Sequence, residues 1–285
     1  MKRTLAIILA LVLALGTIFA FSSCGNKIDA AKDLDTIKSA GVLKVGMECA
    51  YAPYNWSQPT SNEYTVKIND TSYADGYDVQ IAKLIAAGLG VTLQIVPMDW
   101  NGLIPALEAG GIDMIIAGMS PTEDRKLSID FSDTYFDSNL VMVVKKDSAY
   151  DGATKLADFA GAKITGQINT FHYTVIDQIP NVNKQTALED FAALMQSLTS
   201  GAIDGYVCEK PGAISAVASN PDFTYVEFAD GQGFDCDPAE SSISVGLRKG
   251  SSLTAEVNKV LATLTRIQKE GMMDAAIIRQ PVSED

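Results

Sequence analysis

The first candidate for chemistry is an arginine that follows a loop of glycine, serine and proline. The stretch AGMSPTEDRK (residues 117–126) places Arg125 five positions after Ser120. Ser120, Pro121 and Glu123 fit a helix start, with the serine as N-cap and the glutamate completing a capping box. A helix N-terminus offers free amides to an anion, and a guanidinium matches a carboxylate with two parallel hydrogen bonds. The stretch therefore predicts an anion site.

Other roles fit the same residues. Arg125 could instead form a surface salt bridge with Asp124 or Asp130. The hydroxyl of Ser120 could cap its own helix or donate to a ligand, and the sequence does not decide between these two roles.

A second stretch repeats this region at an offset of 91 residues. Leu103, Leu107, Gly110, Ile112 and Asp113 recur as Leu194, Leu198, Gly201, Ile203 and Asp204. The same offset carries Gly118 onto Glu209, each at the end of a predicted strand. Ligands of open α/β sheets bind at the carboxyl ends of strands. If the repeat is not chance, Arg125 and Glu209 face each other across a cleft, which suits a zwitterion.

Strands and helices alternate around both stretches. Apolar strands such as VLKVGM and IDMIIAG alternate with amphipathic helices such as YDVQIAKLIAAGLG, and the alternation continues from GAKITGQ to FTYVEF. The pattern predicts an α/β protein of two similar lobes, each with a mixed, mostly parallel sheet flanked by helices. ECAYAPYNWSQPTSNEYTVKINDTSYADG, between the first strand and helix, is predicted to be a polar, aromatic loop.

The N-terminus has the pattern of an export signal. Two basic residues precede an uncharged apolar run, which ends in the sequence SSCG. This resembles a bacterial lipobox, with Phe21 where leucine is usual. It predicts a signal peptide over residues 1–23 and lipidation of Cys24; ordinary secretion is the alternative. No later stretch has the about 20 apolar residues needed to span a bilayer.

Composition excludes several classes of partner and cofactor. The net charge of −13 disfavours nucleic acid and anionic lipid surfaces as partners. With one histidine, His172, and no Cys-x-x-Cys, neither a metal site nor another cofactor is predicted. Cys49, Cys208 and Cys236 are predicted to be small buried side chains, with one disulfide among them as the alternative.

From residue 41 onward the chain resembles the family 3 extracellular solute-binding proteins, the amino-acid receptors of ABC importers. GVLKVGMECAYAPYNW looks like their first strand and aromatic loop, and GYDVQIAKLIAAGLGV resembles their signature, with Gln80 where an acidic residue is usual. WNGLIPALEAGGIDMIIAGMSPTEDRKLSIDFSDTYF is the most specific match. GAIDGYVCEKPGAI and ISVGLRKGSSLTAEVNKVLATLTRIQKEG also match. TGQINTFH has Asn169 in place of a usual glycine, and the insert over residues 57–75 is longer than usual.

The resemblance implies a set of ligand-binding residues: Glu48, Tyr51, Trp100, Gly118, Ser120, Arg125, Thr170 and Glu209. Arg125 would grip an α-carboxylate, helped by amides near Ser120 and by the hydroxyl or amide of Thr170. Glu209 and the carbonyl of Gly118 would accept the α-ammonium group.

The remaining implied residues would meet the ligand side chain. Tyr51 and Trp100 would sandwich it, although both could be core residues, and Glu48 would make a polar contact. A buried carboxylate needs a cationic partner, so a basic or polar amino acid is predicted, arginine or lysine ahead of glutamine or cystine, with glutamate and aspartate disfavoured. His172 is predicted to lie on a helix surface rather than at the ligand.

The implied fold is the two-lobed type II periplasmic-binding-protein fold. Lobe 1 would comprise residues 28–137 and 240–285, lobe 2 residues 138–239, and the hinge residues 138–140 and 237–241. The implied function is a monomeric, lipid-anchored receptor, not an enzyme, that closes over one free amino acid and delivers it to an ABC permease. The alternatives are a carboxylate lyase, with Glu209, Glu48 or His172 as acid or base and Cys208 as a nucleophile, and a ligand-sensing receptor domain.

Overall fold

The computed structural model describes residues 28–237 and 241–281. The predicted signal peptide and Cys24 lie outside the described residues. Over these two ranges, no helix combines the length and the apolar character that crossing a membrane requires.

The first of two five-stranded sheets is built around the strand predicted from VLKVGM. Its strands, numbered in chain order and given in spatial order, are β6 (Thr92–Pro97), β1 (Val42–Met47), β7 (Met114–Ile115), β14 (Ser242–Arg248) and β8 (Ile129–Asp137). β1 runs parallel to β6 and β7, whereas β14 runs antiparallel to β7 and β8. β7 is shorter than its apolar sequence predicts.

The second sheet repeats this pattern of strand directions. Its strands in spatial order are β11 (Asn183–Lys184), β10 (Lys163–Thr165), β12 (Gly205–Glu209), β9 (Leu140–Lys145) and β13 (Phe223–Val226). β10 is parallel to β11 and β12, and β9 is antiparallel to β12 and β13. β7 and β12, the strands of the 91-residue repeat, both occupy the central position. The predicted α/β architecture of two similar units is therefore confirmed.

Helices flank both sheets. They are α1 (Asp33–Ala40), α2 (Tyr77–Leu89), α3 (Leu103–Glu108), α4 (Glu123–Ser128), α5 (Phe171–Thr174), α6 (Phe191–Ser200), α7 (Lys210–Ser219), α8 (Leu253–Leu261) and α9 (Arg266–Arg279). Short 3-10 turns cover Ala30–Lys32, Trp100–Gly102, Leu156–Phe159 and Val175–Gln178. α2 buries its predicted apolar face and ends at Gly90, whose left-handed backbone (φ 72°) lets its amide bond the last turn.

The insert between β1 and α2 is not the loop that the sequence predicts. It forms a four-stranded antiparallel sheet of β2 (Ala50–Tyr51), β3 (Asn55–Gln58), β5 (Ser72–Asp75) and β4 (Val66–Asn69). Arg279 of α9 lies 4.0 Å over the ring of Tyr64 and bonds the carboxylate of Asp75 at 3.0 Å. The insert is thus anchored to the C-terminal helix.

The apolar cores of the two sheets are connected. One cluster of buried residues runs from β1 through Tyr51 and Tyr54 to Phe191 at the start of α6. Val141 and Val143 of β9 join this cluster, while the alternate residues of β9 join a second cluster on the other face of the sheet. The chain crosses between the sheets at residues 138–139 and again between β13 and β14. The lobe boundaries and the hinge role of these crossings stay predictions.

Candidate functional site

The helix that carries Arg125 begins later than its sequence predicts. α4 starts at Glu123, and its N-cap is Thr122, whose hydroxyl accepts from the amide of Arg125 at 3.4 Å. The prediction of Ser120 as N-cap is therefore wrong. Ser120 is buried in the preceding turn, where its carbonyl accepts from the amide of Thr122 at 3.0 Å. This shift lets the arginine side chain fold back over the turn.

The guanidinium of Arg125 lies between the two sheets. It donates to the carbonyl of Ser120 at 2.8 Å and to the carbonyl of Asn169, on the second sheet's side, at 3.0 Å. Its Cζ lies 5.0 Å from the ring centre of Trp100. Loss of water lowers the pKa of Arg125 to about 10, against the opposing charge of Glu209. The group therefore stays cationic at neutral pH.

No salt bridge neutralises this cation within the described residues. The predicted alternative partner Asp130 pairs instead with Lys249 at 3.1 Å. Arg125 is half-buried, so it is a cation partly removed from water that has carbonyl contacts but no carboxylate contact in the described part of the chain.

Glu209 lies at the end of β12 and is almost fully buried. Its Oε1 is 2.9 Å from Nε2 of His172, and its Oε2 accepts from the hydroxyl of Tyr51. Burial acts to raise the pKa of this carboxyl, but the contacts with His172 and Tyr51 outweigh burial and hold the pKa below its ordinary value. Glu209 is therefore ionised at neutral pH.

His172 does not lie on a helix surface as predicted. Its side chain is 4% exposed, because α5 is a single turn that packs Phe171 and His172 against the interior. The surface prediction assumed a longer amphipathic helix, whereas the chain changes to a 3-10 turn at Val175.

Tyr51 is wedged between the two units. Its ring stacks on Phe191 with the ring centres 3.9 Å apart and the planes 7° from parallel. On the side of α7, a Cβ on Gly212 would come within 3.0 Å of the Tyr51 hydroxyl oxygen, so this close approach depends on glycine. Tyr51 thus belongs both to the apolar core and to the contact with Glu209.

Asp78 is hydrogen-bonded to the Gly118 loop, and the sequence analysis did not predict this role. Its carboxylate accepts from Tyr135 at 2.7 Å, from Asn55 at 2.8 Å and from the amide of Gly118. Burial raises the pKa of Asp78 to about 6, although these hydrogen bonds oppose the rise. Gly118 has a left-handed φ of 62°, and a Cβ there would lie 3.3 Å from the ring of Tyr51. The acidic residue directly after the Gly-Tyr that opens α2 was the available signal.

Glu48, directly after β1, reaches across to the second unit. Its Oε1 accepts from Nε2 of Gln167 at 2.9 Å, while its buried Oε2 has no hydrogen-bond partner among the described residues. Burial raises the pKa of Glu48 to about 7; the Gln167 contact opposes this rise, and the charges of Asp190 and Asp99 add to it. The surroundings of Glu48 are therefore acidic.

Thr170 and Trp100 complete the set of predicted residues. The hydroxyl of Thr170 donates to the carbonyl of Gln167 at 2.7 Å. The indole N–H of Trp100 points to the carbonyl of Asn169 at 3.4 Å. Five of the eight predicted residues make contacts that cross between the two sheets: Glu48, Tyr51, Trp100, Arg125 and Glu209. The other three, Gly118, Ser120 and Thr170, contact these residues or their partners. The structure adds Gln167, Asn169 and Phe191, whose roles depend on contacts between the two sides.

The burial of the thiols and the arrangement of the acidic residues bear on two alternatives, a nucleophilic cysteine and a metal site. Cys49 and Cys208 are buried as predicted, whereas Cys236 is half-buried, so its predicted burial is wrong. Burial raises the pKa of the Cys49 thiol to about 12 and that of Cys208 well above its ordinary value. A nucleophilic role for Cys208 is therefore disfavoured. Over residues 28–237 and 241–281, no group of three or more His, Cys, Asp or Glu residues is arranged to hold a metal ion.

The chain is similar to curated amino-acid-binding proteins. It is 27% identical over 266 residues to the arginine-binding extracellular protein ArtP of Bacillus subtilis, covering 92% of each chain. It is 32% identical over 195 residues to a probable histidine-binding protein of Campylobacter jejuni, covering 67% of this chain and 70% of that protein.

A solved structure agrees in fold. The amino acid ABC transporter substrate-binding protein AbpA of Streptococcus pneumoniae, bound to L-arginine, superposes with a TM-score of 0.73 at 25% identity, covering 86% of this chain and 98% of the other. The sequence model of one family also matches residues 43–277, which is most of the chain. This protein belongs to that family, the bacterial extracellular solute-binding proteins, family 3.

Proposed function

We propose that this protein captures a free amino acid with a basic side chain, arginine or lysine first, and passes it unchanged to the permease of an ABC importer. The observation that carries the proposal is the half-buried Arg125, which has no carboxylate contact in the described ranges. A partly desolvated cation is costly unless an anion joins it. The α-carboxylate of an amino acid supplies that anion, with guanidinium N–H groups to bind it.

Glu209 supplies the complementary charge for an α-ammonium group. Its two oxygens already contact His172 and Tyr51. An ionised carboxylate can accept about four hydrogen bonds, and an ammonium group has donors to share among neighbouring acceptors. The Glu209 carboxylate therefore has acceptor capacity left for the ligand beside its two protein contacts.

The acidic surroundings of Glu48 favour a cationic side chain. Oε2 of Glu48 is buried without a partner in the described part of the chain, and Asp99 and Asp190 add negative potential. A guanidinium or ammonium group at this point would satisfy that oxygen. A second carboxylate on the ligand would meet repulsion here, which disfavours glutamate and aspartate.

Capture would proceed by closure of lobe 1 (residues 28–137 and 240–285) on lobe 2 (residues 138–239), with hinges at residues 138–140 and 237–241. Contacts that join the two sides, such as Glu48 with Gln167, support this proposal. A lipid on Cys24 would hold the monomeric protein at the outer face of the cell membrane, near its permease.

Calorimetry with arginine, lysine, histidine, glutamine, cystine and glutamate tests the proposal. Arginine or lysine should bind tightest and glutamate weakest, and mass analysis should recover the bound amino acid intact. Tightest binding of glutamate would contradict the basic preference, and recovery of a converted product would contradict a pure binding role.

A further inference from the structure

Asn169 makes three contacts that cross from the second sheet's side to the first. Its carbonyl accepts from Arg125 at 3.0 Å and from the indole of Trp100 at 3.4 Å. Its side-chain amide donates to Oδ1 of Asn101 at 2.7 Å. Asn101 lies on the 3-10 turn between β6 and α3, whereas Asn169 lies in the loop between β10 and α5. One residue therefore connects the two sides at the outer edge of the cleft.

The backbone of Asn169 explains how it reaches all three partners. Its φ of 57° lies in the left-handed region, which asparagine adopts more readily than most residues with a side chain. Glycine would adopt this backbone at no steric cost. Glycine would therefore keep the carbonyl aimed at Arg125 and Trp100 but lack the amide that meets Asn101. The side-chain contact is the part that asparagine adds.

We infer that Asn169 is a positioning residue for ligand capture, whose side chain clasps Asn101 across the cleft and slows escape of the bound ligand. Because its test measures ligand binding, the inference rests on the proposed function. A contact that forms only when the two sides meet is absent when the ligand first binds to the open protein. It therefore slows dissociation and leaves association nearly unchanged.

Stopped-flow kinetics with arginine on Asn169→Gly, Asn101→Ala and the double variant test the clasp. Because each single variant loses one exposed hydrogen bond, its dissociation rate should rise roughly 2- to 10-fold, while its association rate should stay within about 2-fold of the wild-type rate. The double variant should dissociate no faster than the single variants, because both remove the same contact. Asn101→Asp keeps an acceptor for the Asn169 amide and should restore a rate within about 2-fold of wild type.

A merely structural role predicts a different outcome. It would lower the thermal midpoint of the ligand-free variants and leave the dissociation rate unchanged, and that result would overturn the clasp. Additive effects of the two substitutions would overturn it as well.

Small-angle scattering without added amino acid separates this inference from the proposed function. Failure of the wild type to bind any amino acid in the panel would contradict the proposed function alone. The clasp would then be judged by the radius of gyration, which should be larger in Asn169→Gly and Asn101→Ala than in wild type. Equal radii in that case would overturn the clasp.

Discussion

Nε2 of His172 lies 2.9 Å from Oε1 of Glu209, and both side chains are almost completely buried. The contact joins the single-turn helix α5 to the end of the central strand β12. It gives the ionised Glu209 carboxylate, which is buried away from water, a polar partner. The only histidine of the chain is therefore part of the site's interior.

His172→Leu should destabilise the protein by about 1–3 kcal/mol at pH 7, because it removes one of the two side-chain contacts of the buried Glu209 carboxylate. The double variant His172→Leu/Glu209→Leu should recover most of this loss, since no buried charge then lacks its partner. Urea unfolding of the three proteins provides the measurement. Equal stability of His172→Leu and wild type would show that the pair carries no stability.

The same pair predicts the direction of a pH effect. Because the pKa of Glu209 lies below its ordinary value of 4.5, its stabilising contribution is present above that value and is lost as the pH falls through the folded-state pKa. The difference in unfolding free energy between wild type and the double variant should therefore shrink in acid.

Arg125→Ala should weaken arginine binding by about 2–5 kcal/mol, or roughly 30- to several-thousand-fold, because it removes a charge-assisted contact in a closed cleft. Arg125→Lys keeps the charge but not the planar fork and should be intermediate. Calorimetry measures both affinities, and the thermal midpoint of the ligand-free proteins is the folding control. Near-normal affinity of a folded Arg125→Ala protein would rule out the carboxylate role.

Arginine affinity should rise with pH up to about 7 and then level off. The pKa of Glu48 is raised to about 7, so the carboxyl is protonated below that pH and must lose its proton to pair with a cationic side chain. The effect is at most about tenfold per pH unit. Glu48→Gln should weaken arginine binding at pH 8 and remove this part of the pH dependence. Calorimetry from about pH 5.5 to about pH 8.5, a range that spans the Glu48 pKa of about 7, compares wild type with Glu48→Gln. The same pH profile in both proteins would exclude this role of Glu48.

Cys24→Ala tests the anchor proposed at a residue outside the described ranges. Without the lipidated cysteine, the protein should appear in the medium or stay unprocessed at the membrane. Cell fractionation with mass analysis of the N-terminus distinguishes these states. A cleaved Cys24→Ala protein that still fractionates with membranes would contradict lipid anchoring.

Local patterns in the sequence were sufficient for the architecture. The buried face of α2 and the repeat that relates β7 to β12 both depend on spacing along the chain, because each helix or strand buries the residues that its own periodicity places on one side. The predicted start of α4 was less accurate, because two neighbouring residues can each act as its N-cap. Ser120 and Thr122 both suit an N-cap, and packing of the Ser120 turn in the interior selects Thr122.

The helix-start pattern located Arg125, the 91-residue offset located Glu209 and the family resemblance located Glu48, but none of them identified what these residues touch. Gln167 meets Glu48 from 119 positions away, and Tyr51 meets Glu209 from 158 positions away. Such contacts depend on how the two sheets face each other, and no local pattern encodes that arrangement. The sequence by itself determined the α/β units, the charge and the chemical groups available. Only the tertiary structure decided that His172 is buried, that the insert is a small sheet and that Asn169 reaches Asn101, because each outcome requires surfaces from distant parts of the chain to meet.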